Sequence, residues 1–225
     1  MEKYHLGIPW RYLNLVRHDF IGLLQYILQS IIKVLEKIIF RIKSTSMNAY
    51  AIDENGLAIN ASFIASPNFD ARPKNEVSLI VIHNISLPPN QYGGDGIIEL
   101  FTNQLNPEDH PYYAEIHGQK VSAHFLIRRD GKLIQFVSCL NRAWHAGVSN
   151  WHGRERCNDF SVGIELEGSD FELFESAQYQ TLQSLIASLT STYSIQAIVG
   201  HSDIAPNRKT DPGPYFDWRR IITSH

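Results

Sequence analysis

Between residues 78 and 201 the apolar positions alternate between two periods, and the change of period predicts the elements. Ser78-Leu-Ile-Val-Ile-His83 is a continuous apolar run of the kind that forms a buried strand, and it ends on a histidine. Ala123–Arg129 and Lys132–Val137 are two further runs, separated by Asp130-Gly131. Asp-Gly in that position predicts a hairpin, because its glycine accepts the positive φ that a tight turn requires. Ser161–Glu167 alternates strictly, with Val162, Ile164 and Leu166 on one face and Gly163, Glu165 and Glu167 on the other. Tyr179, Leu182, Ile186, Leu189 and Tyr193 recur at helical spacing, which predicts a helix capped by Ser176 and running to about Tyr193. Ala197-Ile-Val-Gly-His201 reads as a short strand that again ends on a histidine, and a last helix is predicted over Phe216–Ile222. Residues 49–70 read as irregular. Residues 84–120 form a connection rich in Pro, Gly and Asn, with a short helical stretch around Gly96–Thr102. A connection of that length in a compact domain is usually functional. Strands mixed with helices in this order predict an α/β fold, a mixed central β-sheet flanked by helices.

A segment of another kind precedes this pattern. Phe20, Leu24, Ile27, Ile31, Leu35, Ile38 and Ile42 recur at steps of three and four, so Asp19–Lys43 reads as one amphipathic helix. Its longest uncharged stretch, Phe20–Ile32, has thirteen residues, short of the roughly 20 that span a bilayer. Gln25 and Gln29 interrupt the apolar run and no small-x-small site follows, which argues against a cleaved leader. Residues 1–48 carry seven Lys/Arg against three acids, a net +4, while the remainder has thirteen against twenty, a net −7. That asymmetry sets 1–48, a basic amphipathic segment, apart from a domain over 49–225. Three readings stand for it: a helix lying on an anionic membrane, a helix packed on the domain or on another copy, or a start at Met47 that leaves the segment outside the protein.

Composition adds exclusions. A chain of 225 residues, 44% hydrophobic and 19% charged, is a globular domain with room for an extra segment. A net charge of −3 makes nucleic acid an unsuitable partner. Cys139 and Cys157 lack CxxC spacing and are too few for a disulfide framework, so they read as reduced thiols in a reducing compartment.

The chemistry lies at the strand ends. His83 and His201 each close a strand, and Asp211 follows ten residues after His201. Two imidazoles and a carboxylate suit Zn²⁺ with a fourth position open for water. On spacing alone His124 and His145 are equally eligible. Glu165 shares its face with Gly163, whose missing side chain is expected to leave room for substrate above the sheet. A carboxylate there can take a proton from the attacking water and return it to a leaving nitrogen. The bland alternative is a solvated strand face, since Glu167 lies on it too. Lys209 stands two residues before Asp211, on the same side of an extended chain, where its ammonium can meet an oxyanion; the bland alternative is a surface lysine.

A resemblance decides among these. His83-Asn-Ile-Ser-Leu-Pro-Pro89, Val121-Ser-Ala-His124, Arg142-Ala-Trp-His-Ala-Gly-Val148, Gly153-Arg-Glu-Arg-Cys-Asn-Asp-Phe160, Gly163-Ile-Glu-Leu-Glu-Gly168 and Arg208-Lys-Thr-Asp-Pro-Gly-Pro214 carry it. The chain resembles the AmpD-type subgroup of the zinc N-acetylmuramoyl-L-alanine amidases, the type-2 amidase family, from about Ser66 to Trp218. The resemblance implies a sheet like that of peptidoglycan-recognition proteins, zinc on His83, His201 and Asp211, and catalytic roles for Glu165 and Lys209. It implies as substrate the amide between N-acetylmuramic acid, preferentially its 1,6-anhydro form, and L-alanine, in muropeptides recovered by a cytoplasmic recycling enzyme. Asn84, Lys120, Trp144 and Arg156 lie in matching motifs and are expected to contact substrate. Subgroup members typically carry Arg where this chain has Lys120, which keeps the charge but loses the planar two-pronged grip of a guanidinium. Three rivals remain: a non-catalytic peptidoglycan-binding module, an envelope amidase acting on intact wall, and a membrane-tethering or interaction protein whose function lies in residues 1–48, which could coexist with the enzyme.

Overall fold

The computed structural model describes residues 27–37 and 49–221. Residues 27–37 form a helix, α1, within a unit that the chain contacts separate, at Ser46/Met47, from the rest. Its apolar residues, Leu28, Ile31 and Leu35 among them, are exposed. The remainder of the Asp19–Lys43 expectation lies outside the described residues. No helix among the described residues is long and apolar enough to cross a membrane.

In the second unit the chain order is β1 (Ser62–Phe63), β2 (Phe69–Ala71), β3 (Leu79–Ile85), α2 (Gly96–Phe101), α3 (Pro111–Ile116), β4 (Phe125–Ile127), β5 (Leu133–Gln135), β6 (Asn141–Ala143), β7 (Asn150–Trp151), β8 (Arg154–Glu155), β9 (Ser161–Glu167), α4 (Ser176–Thr192), β10 (Ala197–Gly200) and α5 (His201–Ile204). Six strands make one sheet in the order β1-β5-β4-β9-β3-β10. Only β4 and β5, the predicted hairpin, pair antiparallel in it; the other neighbours are parallel, so the sheet is mixed. β3 and β9 are paired over seven residues, Leu79↔Ser161 through Ile85↔Glu167.

Alternation along these strands sorts the side chains. Ile80, Ile82, Val162, Ile164 and Leu166 join Leu182, Leu185 and Leu189 of α4 in one buried cluster. The opposite face is covered in two parts. Leu126 and Ile134 pack under Ile97, Leu100 and Tyr113 of the α2–α3 region. Leu79 and Val81 pack with Val199, Cys157 and Ile204. The functional side chains emerge on this second face, where the cover is made of loops and short helices.

Several expectations are corrected. The cap of α4 is Glu175, one residue before Ser176, and its N–H donates to Gln178 Oε1 at 3.0 Å. The helix expected at Phe216–Ile222 is a single 3-10 turn, Trp218–Arg220, capped by Asp217; Ile222 lies outside the described residues. Phe216 and Ile221 are fixed instead by burial in the α4 cluster. The 84–120 connection holds two helices: Pro111 opens α3, and His110 Nδ1 accepts from Tyr112 N–H at 3.1 Å. Residues 49–70 include β1 and the start of β2. Glu167 does not lie on a solvated face, because all seven residues of β9 are buried.

Candidate metal centre

His83 is the fifth residue of β3 and stands opposite Glu165 in the parallel register. β10 pairs with β3 on its other side, Gly200 opposite Ile82, so His201 at the start of α5 arrives next to His83. Ser202 N–H donates to the Asp211 carbonyl at 2.9 Å and folds the 209–214 segment back over α5. Three ligating atoms meet as a result. His83 Nδ1 lies 3.0 Å from His201 Nδ1 and 3.0 Å from Asp211 Oδ2, and His201 Nδ1 lies 3.1 Å from Asp211 Oδ2. Among the described residues these three form the cluster able to hold a metal ion.

The donor set fits zinc. His201 Nε2 lies 3.0 Å from the Ala146 carbonyl, which can only accept, so the ring proton is on Nε2. A ring protonated there offers Nδ1 as its metal-binding nitrogen, and that Nδ1 stands 3.1 Å from the Asp211 carboxylate oxygen, a second donor suited to zinc. Zinc with bonds of about 2.0–2.1 Å asks for donor separations of roughly 3.3–3.4 Å in a tetrahedron, within a few tenths of those found. The electrostatics agree. Burial pulls the His83 pKa down to about 4, so the ring is a neutral ligand at pH 7.

Glu165 is buried, and its Oε2 has no hydrogen-bond partner among the described residues. Burial, and then the charge of Asp211, raise its pKa well above the ordinary carboxylate value; Lys209 opposes this. A polar atom buried without a partner is costly and is retained where a reaction uses it. Glu167, two residues on, is satisfied by three donors: Gly93 N–H at 2.7 Å, Arg128 Nη1 at 3.1 Å and Arg129 N–H at 3.2 Å.

A cavity of about 360 Å³ opens on the three metal-site residues and contains Glu165 and Lys209 in its wall. Asn84 and Trp144 line it as well. The Asn84 amide is anchored to Asp170 Oδ1 at 2.7 Å and to the Pro212 carbonyl at 3.1 Å. The peptide N–H of Trp144 donates to Ser122 Oγ at 3.1 Å. Lys120 is exposed and is not part of that wall, although its neighbours Gln119 and Val121 are. Arg156 lines a second cavity of about 530 Å³, with Val148 and Arg208, and its Nε lies 3.3 Å from Asp159 Oδ2.

The two histidines that spacing left equally eligible adjoin this cluster, and His145 also lines the cavity. His145 Nδ1 lies 3.0 Å from His83 Nε2, and His124 accepts from Gly163 N–H at 3.1 Å. The space left by Gly163 is filled by the His145 ring, which a Cβ there would overlap, and so is not open to substrate. Tyr112 and Ile116 of α3 also line the cavity and went unread in the sequence. The Pro111 that opens their helix was the available signal.

Comparison with known proteins places these residues in context. Residues 73–214 match the family described as N-acetylmuramoyl-L-alanine amidase. The 1,6-anhydro-N-acetylmuramyl-L-alanine amidase AmpD of Escherichia coli K12 is 54% identical over 171 residues, 75% of this chain and 93% of that protein. The protein of the same name from Salmonella typhimurium SL1344 is 53% identical over 173 residues, 76% and 92% of the two chains. A crystal structure of an AmpD selenomethionine derivative, 52% identical, superposes with a TM-score of 0.73 over 75% of this chain and 96% of that one.

Proposed function

This chain belongs to the N-acetylmuramoyl-L-alanine amidase family, and on that premise we propose that it hydrolyses the amide between anhydro-N-acetylmuramic acid and L-alanine with the help of a zinc ion. The observation that supports this best is the pairing of a three-donor site with a buried, unpartnered carboxyl oxygen in one cavity. His83, His201 and Asp211 would hold the ion. Bound there, zinc would supply Lewis acidity to the carbonyl and to the attacking water. Glu165 takes the proton of the attacking water, which its raised pKa favours. Lys209, exposed at the cavity wall, brings its ammonium to the developing oxyanion. Glu165 then passes the proton to the alanine nitrogen and the C–N bond breaks. Asn84 and Trp144 orient the substrate from the wall. Arg156, in the neighbouring cavity, and Lys120 meet carboxylates farther along the peptide.

The substrate we assign is a soluble muropeptide, met in the cytoplasm; the names of the AmpD relatives point to its 1,6-anhydro-N-acetylmuramyl-L-alanine bond. Incubating the protein with anhydro-muropeptide and with intact sacculi, and weighing the products, tests this. Release of free peptide from the muropeptide alone is the expected result. Turnover of sacculi alone would favour the envelope reading, and zinc binding without turnover of either would favour a binding module. Asp211→Ala is expected to lower zinc content and abolish turnover; full occupancy and full turnover in that variant would overturn the ligand assignment.

A second reading concerns residues 1–48. The exposed apolar residues of α1 and the net +4 of that segment favour contact with an anionic membrane surface. The full chain is expected to bind vesicles containing anionic lipid and to leave them at high salt, because charge supplies part of the attraction. Sedimentation showing no binding at low salt would end this reading.

A further inference from the structure

The mechanism leaves unused the half-buried His145 in the cavity wall and the Asn158 of the 153–160 motif. They meet at one short segment, His145-Ala146. The Ala146 carbonyl receives the Nε2 proton of His201 at 3.0 Å, and the His145 Nδ1 faces His83 Nε2 at 3.0 Å. Both peptide N–H groups of the segment donate to one atom, Asn158 Oδ1, at 3.2 Å and 2.8 Å. The other nitrogen of His145, Nε2, lies 3.1 Å from Ser161 Oγ. The ring stands where it does because position 163 of β9 carries no side chain.

We propose that His145 and Asn158 are positioning residues of the metal centre: Asn158 pins the His145-Ala146 segment, and that segment takes the outer proton of both metal histidines. This rests on the zinc reading above. A histidine that ligates through Nδ1 carries its proton on Nε2, and that proton needs an acceptor at a fixed place. For His201 the acceptor is a peptide carbonyl; for His83 it is an imidazole, which can accept only while it is itself neutral and protonated on Nε2. Ser161 Oγ stands ready to receive that second proton. A chain of one polarity follows, from His83 Nε2–H to His145 Nδ1 and from His145 Nε2–H to Ser161 Oγ. It leaves Nδ1 of His83 bare toward the cavity.

The test is zinc affinity of the full chain, read by competition with a chromophoric chelator, beside the melting temperature of the zinc-free protein. His145→Phe keeps the bulk and removes the acceptor, and is expected to bind zinc about 10–100-fold more weakly. Gly163→Ala removes no group of the hydrogen-bond chain but pushes the His145 ring out of place, and is expected to weaken zinc in the same direction. His145→Asn places an oxygen near the Nδ1 position and should recover most of the affinity. Asn158→Asp, which keeps an acceptor for both N–H groups, should outbind Asn158→Leu. Those results, with zinc-free melting near that of the unaltered chain, support the proposal. Wild-type affinity in His145→Phe and Gly163→Ala overturns it. So does a His145→Asn protein that binds as weakly as His145→Phe, which would reduce the ring to filler. Should His145→Phe fail to fold, equal affinity of the two Asn158 variants overturns it. Absence of zinc binding by the unaltered chain would overturn the zinc reading itself.

Discussion

Glu165 and Glu167 point to the same side of β9, and what surrounds them separates their roles. Glu165 has a free buried oxygen facing a cavity, whereas Glu167 closes three hydrogen bonds to the 84–95 and 128–131 segments. Glu165→Gln is therefore expected to keep zinc and lose about 10²–10⁴-fold in kcat. Glu167→Ala is expected to act on stability, by about 1–3 kcal/mol, because it takes the acceptor from three donors while Arg128 keeps the Gly94 carbonyl and Asp95. Steady-state kinetics beside thermal unfolding would read both, and an exchange of the two phenotypes would overturn the assignment. Glu165 also carries a signed pH effect. Its folded pKa is raised, so in zinc-free protein its stability contribution falls as pH climbs from its unfolded value near 4.5 through the folded one. Glu165→Gln should thus melt higher than the unaltered zinc-free chain at pH 7, and the gain should vanish by about pH 4.5. Strand alternation in the sequence was enough to put both acids on one face. It could not say which one has partners, because those partners come from loops roughly 40 to 75 residues away in the chain.

The elements were legible in proportion to how far their own period could carry them. β3, β9, the β4–β5 hairpin and α4 each bury a continuous face, so the sequence pattern found them. β6, β7 and β8 have two or three residues each, too few for a period. They are held by charge instead. Arg154, beside the turn between β7 and β8, grips Glu76 with two hydrogen bonds, of 2.6 Å and 2.8 Å. That grip and the Ser78 hydroxyl hold the Glu76 pKa down at about 2. A depressed carboxyl stabilises the fold above its unfolded pKa, and the contribution is lost as pH falls from about 4.5 to about 2. Glu76→Gln should accordingly cost about 0.2–1 kcal/mol at pH 7, since the pair is partly solvated. Denaturant titrations of the two proteins should converge at about pH 2; a difference that persists there would assign the effect to packing.

For the molecule as a whole, every described residue lining the candidate cavity lies from His83 onward, and among the described residues of 49–221 the first to pack against the core is Tyr50. A protein starting at Met47 is therefore expected to keep its melting temperature and its turnover of soluble muropeptide. Loss of turnover with the fold intact would make residues 1–46 part of the active unit. Cys139 and Cys157 are both free and buried, and burial pushes the Cys139 thiol up to about 12, as expected of inert reduced thiols. The sheet also governs how the enzyme would fail. His83 and Glu165 are cross-strand partners in the two longest strands, paired to neighbours on both sides. Their spacing is thus the repeat distance of a sheet interior, about 4.8 Å between strands, and no loop movement can alter it. Such a ladder exchanges its amide hydrogens only when the whole fold opens. On slow heating, the curve of lost activity should lie on the curve of lost secondary structure. An enzyme that died many degrees before its sheet did would place the weak link in the 209–211 segment, outside the ladder.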